Sequence, residues 1–263
     1  MRKIITFGTL KGGTGKSTTV FSTSGILAER GYRVLIVDVD PQANITSNLG
    51  IDETMEGYIG IKELFEDERI HPERAIIRGP IRELPNLDII GASMALTSTD
   101  MRIVSFPGRE YLLKKYFRKY SSVFNQYDYI IFDTNPSMSI INQNSFVVSD
   151  AIVIVSDIGI NSLKGLELFV ALWEDIVDRL DIENNIRGLL INKYNPRSSI
   201  SREFVEYCQE EEDIKKLLFN SFIPADERIS ECELSRKPIN IIFKNTEICD
   251  RYNSFVDELI SRV

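Results

Sequence analysis

The sequence predicts an α/β protein built on a doubly wound, mostly parallel β-sheet flanked by helices. Three observations carry that expectation. Short β-branched runs alternate with longer helical stretches, the pattern of successive βαβ units. Several runs are apolar throughout, as strands covered on both faces by helices must be. The first run passes directly into a glycine-rich loop that opens a helix on a lysine and a hydroxyl. With 263 residues and 43% hydrophobic content the chain can bury a large core. It carries no internal repeat, low-complexity tract or Pro/Ser-rich linker, so one domain over residues 1–263 is expected.

The elements follow in chain order. Lys3–Phe7 is the first strand, with Ile4 and Ile5 at its centre, and Ser17–Arg30 the helix after the glycine-rich loop. Val34–Val37 is an all-apolar second strand. Asn48–Pro85 is the least regular part, expected to hold a short helix around Ile61–Asp67 among surface loops. Leu87–Ile90 and Tyr129–Phe132 read as strands on either side of a helix over Gly108–Phe124. Ala151–Val155 and Arg187–Ile191, both Ile/Val/Leu-rich, bracket a helix at Ser162–Leu180. A helix at Ser201–Lys216, a strand at Leu218–Phe222 and a helix at Thr246–Val263 complete the order.

The stretch Leu10-Lys11-Gly12-Gly13-Thr14-Gly15-Lys16-Ser17-Thr18 points to a nucleoside triphosphate. Its three glycines let backbone N–H groups turn inward around an anion without Cβ clashes. The helix that starts near Lys16 adds unsatisfied amides and the positive end of its dipole. Lys16 can reach the β- and γ-phosphates, and the Ser17 hydroxyl is placed for Mg²⁺. The alternative is a glycine-rich turn without a ligand. The strict G-x-x-x-x-G-K-[ST] pattern fails at its first glycine, where Leu10 stands, and a second lysine, Lys11, appears instead.

Composition narrows the chemistry. The formal net charge of −8 works against an overall polyanion-binding surface. The three cysteines, Cys208, Cys232 and Cys249, are far apart and odd in number, which fits a reduced compartment and no C-x-x-C site. The single histidine, His71, argues against a His-based metal site or triad, leaving carboxylates, lysines and a bound metal. No apolar run approaches the roughly 18 residues of a membrane span, and no signal-peptide pattern opens the chain, so a cytoplasmic protein is expected.

Two further motifs face the same site. Val37-Asp38-Val39-Asp40-Pro41-Gln42 leaves the second strand at its carboxyl end, where ligands bind in open α/β sheets. Strand alternation puts Asp38 and Asp40 on one side, where two close carboxylates repel unless a cation or a water network separates them, as a Mg²⁺-nucleotide would. The alternative is a pair of carboxylates capping a helix start near Asn44. Asp128-Tyr129-Ile130-Ile131-Phe132-Asp133 is a buried strand ending in a carboxylate.

The doubled-lysine loop K-G-G-x-G-K-[ST] resembles that of the ParA/MinD group of dimerising ATPases. Val37–Gln42 is similar to the V-D-x-D-P-Q motif of ParA proteins, and Tyr129–Asp133 resembles a Walker B strand. The resemblance extends through Pro107-Gly108-Arg109-Glu110, through Ser149–Val155 with Ser162–Leu166, and through Phe222–Glu231 with Lys237-Pro238-Ile239. It implies an ATPase using ATP and Mg²⁺, with the phosphates held by Lys11, Gly12, Gly13, Thr14, Gly15, Lys16, Ser17 and Thr18. Asp40 would position the attacking water, Asp38 would support the metal network, and Asp133 would hold Mg²⁺ through water. Pro224 and its neighbours would sit against the adenine, with Asn192 as a second candidate or merely a loop cap. Asn135 stands where the family usually has D-x-P-P-S, which puts the rigidity of that loop in doubt.

In the family the extra lysine, here Lys11, crosses to the partner subunit's phosphates and makes an ATP-dependent sandwich homodimer; the alternative is a solvated loop lysine. The partition branch binds nonspecific DNA as that dimer and is released when a centromere-bound ParB-like protein stimulates hydrolysis, which implies association with the nucleoid. Arg228, Lys193, Arg197 and Lys244 are candidate DNA contacts, with Lys215, Lys216, Arg202, Arg236 and Lys237 nearby in sequence; each could equally be a solvated surface charge. Ala225, Cys232-Glu233 and Arg236 depart from the family motif and weaken that expectation. No helix-turn-helix precedes the loop, so operator binding is not expected. A MinD-like membrane protein would need a basic amphipathic tail, and Phe255–Val263 is acidic in its middle. A non-DNA assembly factor using ATP as a dimer switch is the remaining alternative.

Overall fold

The strand Val34–Asp38 shows why the sheet is covered twice: Val34 and Ile36 belong to one apolar cluster, Leu35 and Val37 to another. The computed structural model describes residues 2–263. In chain order the elements are β1 (Lys3–Gly8), α1 (Lys16–Glu29), β2 (Val34–Asp38), α2 (Asn44–Asn48), α3 (Ile61–Glu66), β3 (Ile76–Ile77), β4 (Leu87–Ile90) and α4 (Leu96–Ile103). Then come α5 (Leu112–Lys119), α6 (Ser121–Phe124), β5 (Tyr129–Asp133), α7 (Ile140–Val148), β6 (Ala151–Ser156), α8 (Ile160–Leu180) and β7 (Ile186–Ile191). Helices α9 (Ser199–Glu210), α10 (Glu212–Leu217), α11 (Arg228–Ser235), α12 (Ile239–Ile242) and α13 (Glu247–Arg262) end the chain.

The sheet has seven strands in the order β3-β4-β2-β5-β1-β6-β7. Every pairing is parallel except β3 with β4, which is antiparallel. One face is covered by α1 and α13, through Phe21, Leu27, Tyr252 and Phe255. The other carries Leu64, Leu113, Phe117 and Phe124 of α3, α5 and α6. Toward β7 that second face passes to α8, whose Phe169 and Trp173 pack with Phe146 of α7. The architecture is the doubly wound sheet expected from the alternating runs.

Three expectations need correction. Leu218–Phe222 is not a strand but an edge segment with isolated bridges, Leu189 to Leu218 and Tyr194 to Pro224. Between them the Asn220 and Ser221 amides donate to the Glu258 carboxylate, and the Phe219 ring packs over Gly188, so the ladder cannot close. The Gly108–Phe124 helix is broken twice. The Leu113 amide is taken by Asn144 Oδ1, and Tyr120 leaves helical geometry (φ −108°, ψ 35°) while its hydroxyl donates to Glu68 and Arg69 carbonyls. Strand alternation does not carry on from Asp38 to Asp40: β2 ends at Asp38, the Asp40 amide donates back to Asp38 Oδ1, and of the two only Asp40 lines the cavity at the strand ends.

Candidate functional site

Between β1 and α1 the chain makes a cradle. Gly13 and Gly15 have φ of +76° and +83°, a region that favours glycine. A Cβ on Gly15 would lie 2.3 Å from Asn192 Nδ2, so the close approach also demands glycine there. The cradle lines a cavity of about 400 Å³ that includes Lys11, Lys16, Ser17, Thr18 and Asp40. It sits at the carboxyl ends of the strands and at the N-terminus of α1, the expected place for an anionic ligand.

Lys16 is 5% exposed, and its ammonium is paired with the fully buried Asp133. Asp40 lines the cavity; its Oδ1 accepts from the Gln42 amide at 2.9 Å. Burial raises its carboxyl above the usual range, while the Gln42 amide and then Lys16 pull it down. Asp38 is completely buried and is not among the residues that line the cavity, accepting from the Thr46 amide at 3.1 Å and the Thr46 hydroxyl at 2.7 Å. Burial, and then the neighbouring Asp133, pushes its carboxyl up to about 7. Asp38 therefore ties the first turn of α2 to the end of β2, while Asp40 bonds the Gln42 amide outside that helix.

Lys11 makes its contacts within its own chain. Its ammonium donates to both Asp157 oxygens, at 2.8 and 2.7 Å, and to Ser162 Oγ at 3.1 Å. Neither partner was singled out from sequence; Asp157 follows β6 at its carboxyl end, which was the available signal. In the loop after β5 Asn135 has a partner in α7: Asn142 Nδ2 lies 2.6 Å from Asn135 Oδ1 and 2.9 and 2.8 Å from the Asn135 and Ser137 carbonyls, sharing its two hydrogens among them.

A second cavity, of about 650 Å³, adjoins the first beyond Asn192 and includes Ala225, Ile229 and Ser230. Asn192 is 2% exposed and clamps the cradle by donating to the Thr14 carbonyl at 2.9 Å. Pro224 lies in the edge bridge with Tyr194, and its successor Ala225 lines the cavity. Of the DNA candidates, Lys193 reaches the Gly13 carbonyl at 2.6 Å, Arg228 is held by Asp226, and Lys244 pairs with Glu29. Arg197 makes no ion pair among the described residues. The four do not form one uncompensated patch.

The donor set fits a triphosphate and a hard cation. Thr14 Oγ1 and Asp133 Oδ2 are buried without a hydrogen-bond partner among the described residues. No group of three or more His, Cys, Asp or Glu there could cage a metal by itself. A cation bound by Ser17 and Asp133 must then take its other ligands from water and phosphate, the habit of Mg²⁺. Among the described residues no helix is long and apolar enough to cross a membrane.

Known proteins match this arrangement along nearly the whole chain. A model of the AAA domain family matches residues 2–188. The sporulation initiation inhibitor protein Soj of Bacillus subtilis is 32% identical over 243 residues, covering 91% of this chain and 90% of its own. The chromosome partitioning protein ParA of Myxococcus xanthus is 29% identical, covering 99% of this chain and 88% of its own. A putative plasmid partition protein of Borrelia burgdorferi, solved with AMPPNP, superposes with a TM-score of 0.81 at 23% identity, with 100% of both chains covered.

Proposed function

The chain belongs to the AAA domain family, in the company of the ParA and Soj partition proteins, and from that premise we propose that it is a partition ATPase whose nucleotide state switches a homodimer on and off DNA. The observation that carries this reading is that Lys16 and Ser17, at the start of α1, and Asp40, after β2, line one cavity of about 400 Å³.

Phosphoryl transfer is mostly positioning and charge neutralisation. The cradle amides and Lys16 hold the β- and γ-phosphates, Lys16 leaving Asp133 to do so. Ser17 and Asp133 would hold a Mg²⁺ ion, which would supply the remaining charge neutralisation on the phosphate oxygens. Asp40 accepts a hydrogen bond from the attacking water and orients it in line. Asp38 fixes the Asp40 turn from behind. Lys11, released from Asp157, reaches the partner subunit's phosphates and makes ATP part of the dimer contact. Asn192 holds the loop against the base side, next to Ala225. The dimer binds nonspecific DNA and separates on hydrolysis, which a ParB-like partner accelerates.

The test is retention on duplex DNA with ATP, ADP or no nucleotide, at low and moderate salt. Binding only with ATP, strengthened in Asp40→Ala and lost in Lys11→Ala, is the expected result. Binding in no state, with ATP-dependent dimerisation intact, would remove DNA from the reading and leave the switch. Sedimentation with liposomes instead would move the protein to the membrane-positioning class.

A further inference from the structure

The two cavities at the cradle share four residues: Gly13, Gly15, Thr18 and Glu233. A nucleotide lying with its phosphates in the first and its base in the second must pass its sugar across that boundary. Among the four, Glu233 supplies the only charge. It projects from α11, opposite the first turn of α1, and its Oε1 accepts from the Thr18 hydroxyl at 2.8 Å. No cation pairs with it among the described residues. The other acids of the base-side cavity are placed differently. Asp226 is engaged by the Arg228 guanidinium through both oxygens, and Glu227 lines the base side alone.

A free carboxylate at the rim of a phosphate cradle repels phosphate and cannot serve it. It is matched to a part of the ligand that offers donors, and the vicinal diol of a ribose offers two from adjacent carbons. Carboxylates recognise that diol in dinucleotide-binding sheets for the same reason. We infer that Glu233 accepts hydrogen bonds from the ribose hydroxyls and makes this site selective for ribonucleotides over 2′-deoxyribonucleotides. The inference rests on the nucleotide reading above and adds the group that reads the sugar. Thr18 fixes the carboxylate from one side and leaves Oε2 for the ligand.

The test uses the full chain with Mg²⁺ and calorimetric titration of ADP, 2′-deoxy-ADP and inosine diphosphate. Diphosphates avoid turnover and any coupling to ATP-dependent dimerisation. The readout is the ratio of dissociation constants, because a change in repulsion between residue 233 and the phosphates cancels in it. A hydrogen bond to a charged group at a partly solvated site predicts about tenfold weaker binding of 2′-deoxy-ADP than of ADP. That ratio should fall to about one in Glu233→Ala and to an intermediate value in Glu233→Gln, whose carbonyl still accepts. Equal affinities in the native protein, or a ratio unchanged by Glu233→Ala, would overturn the inference. So would a Glu233→Ala variant that loses discrimination against inosine diphosphate instead, since the carboxylate would then be reading the 6-amino group. Failure to bind ADP at all would take away the nucleotide reading and the inference with it, a result distinct from the others.

Discussion

Replacing Asp157 by Asn should strengthen the ATP-dependent dimer, because it frees the lysine that the proposed interface needs. Lys11 spends its ammonium donors on both Asp157 oxygens and Ser162 Oγ, at 2.7 to 3.1 Å. Each protomer must break this arrangement before Lys11 can reach across. A charge-assisted contact of this geometry contributes about 1.5–3 kcal/mol when sheltered. The side chains are 37% and 15% exposed, so screening reduces the figure to about 1 kcal/mol per protomer. Two lysines are released per dimer, which gives about 2 kcal/mol, or a dissociation constant about 30-fold lower. Sedimentation equilibrium with Mg²⁺ and AMPPNP, native against Asp157→Asn, measures it directly. The gap should narrow as salt rises, since the lost attraction is partly solvent-exposed. A variant that dimerises no better than the native chain would refute the idea that Asp157 holds Lys11 back.

Three further outcomes follow from the same geometry. Gly15→Ala combines a φ of +83° with a Cβ placed 2.3 Å from the Asn192 amide, so nucleotide binding should drop by about 100-fold or more, as read by calorimetry, with the fold retained by circular dichroism. Asp38, pushed up to about 7, keeps its proton in the native state over a range where an unfolded Asp, titrating near 4, has lost it; stability therefore falls as pH rises from about 4 to 7. Thermal melts without nucleotide should show that slope in the native chain and a flatter one in Asp38→Asn, and equal slopes would contradict the assignment. Gly188→Ala would drive a methyl to within 2.1 Å of the buried Phe219 ring, costing about 2–3 kcal/mol in urea denaturation; a change below about 0.5 kcal/mol would mean that the ring moves freely.

Much of the fold was legible because its strands announce themselves one at a time. β4 coincides with the predicted Leu87–Ile90, and β1, β2, β5, β6 and β7 differ from expectation only at their ends. What escaped was short or decided by partners distant in sequence. β3 is two residues long and pairs antiparallel at the sheet edge, too brief for any periodicity. α7 is capped by Ser139, whose hydroxyl accepts from the Asn142 amide, and Asp100 takes the Ile141 amide at 3.0 Å; the second contact spans a separation no local pattern encodes. Leu218–Phe222 has strand composition, yet Glu258 of α13 claims two of its amides.

The site divides along the same line. The cradle was legible because its glycine, lysine and hydroxyl positions lie in nine contiguous residues; only its clamps, Asn192 on the Thr14 carbonyl and Lys193 on the Gly13 carbonyl, come from far along the chain. The charges around it were not, because a side chain's electrostatic role is set by whichever opposite charge the fold brings near. Arg228 reads from sequence as a candidate DNA contact, but two positions earlier Asp226 engages it through both oxygens. Lys244 meets Glu29 across 215 residues of sequence, and Lys11 meets Asp157 across 146. A chain of net charge −8 can present a cationic face only where its own carboxylates are kept away. Asp226 and Glu29 remove Arg228 and Lys244 from a ready-made DNA surface, while another carboxylate, Glu233, stands beside the cradle without a cationic partner among the described residues. Ion pairing within the chain thus separates the phosphate-binding part of the site, which sequence order specifies, from its selectivity and its switching, which tertiary contacts specify.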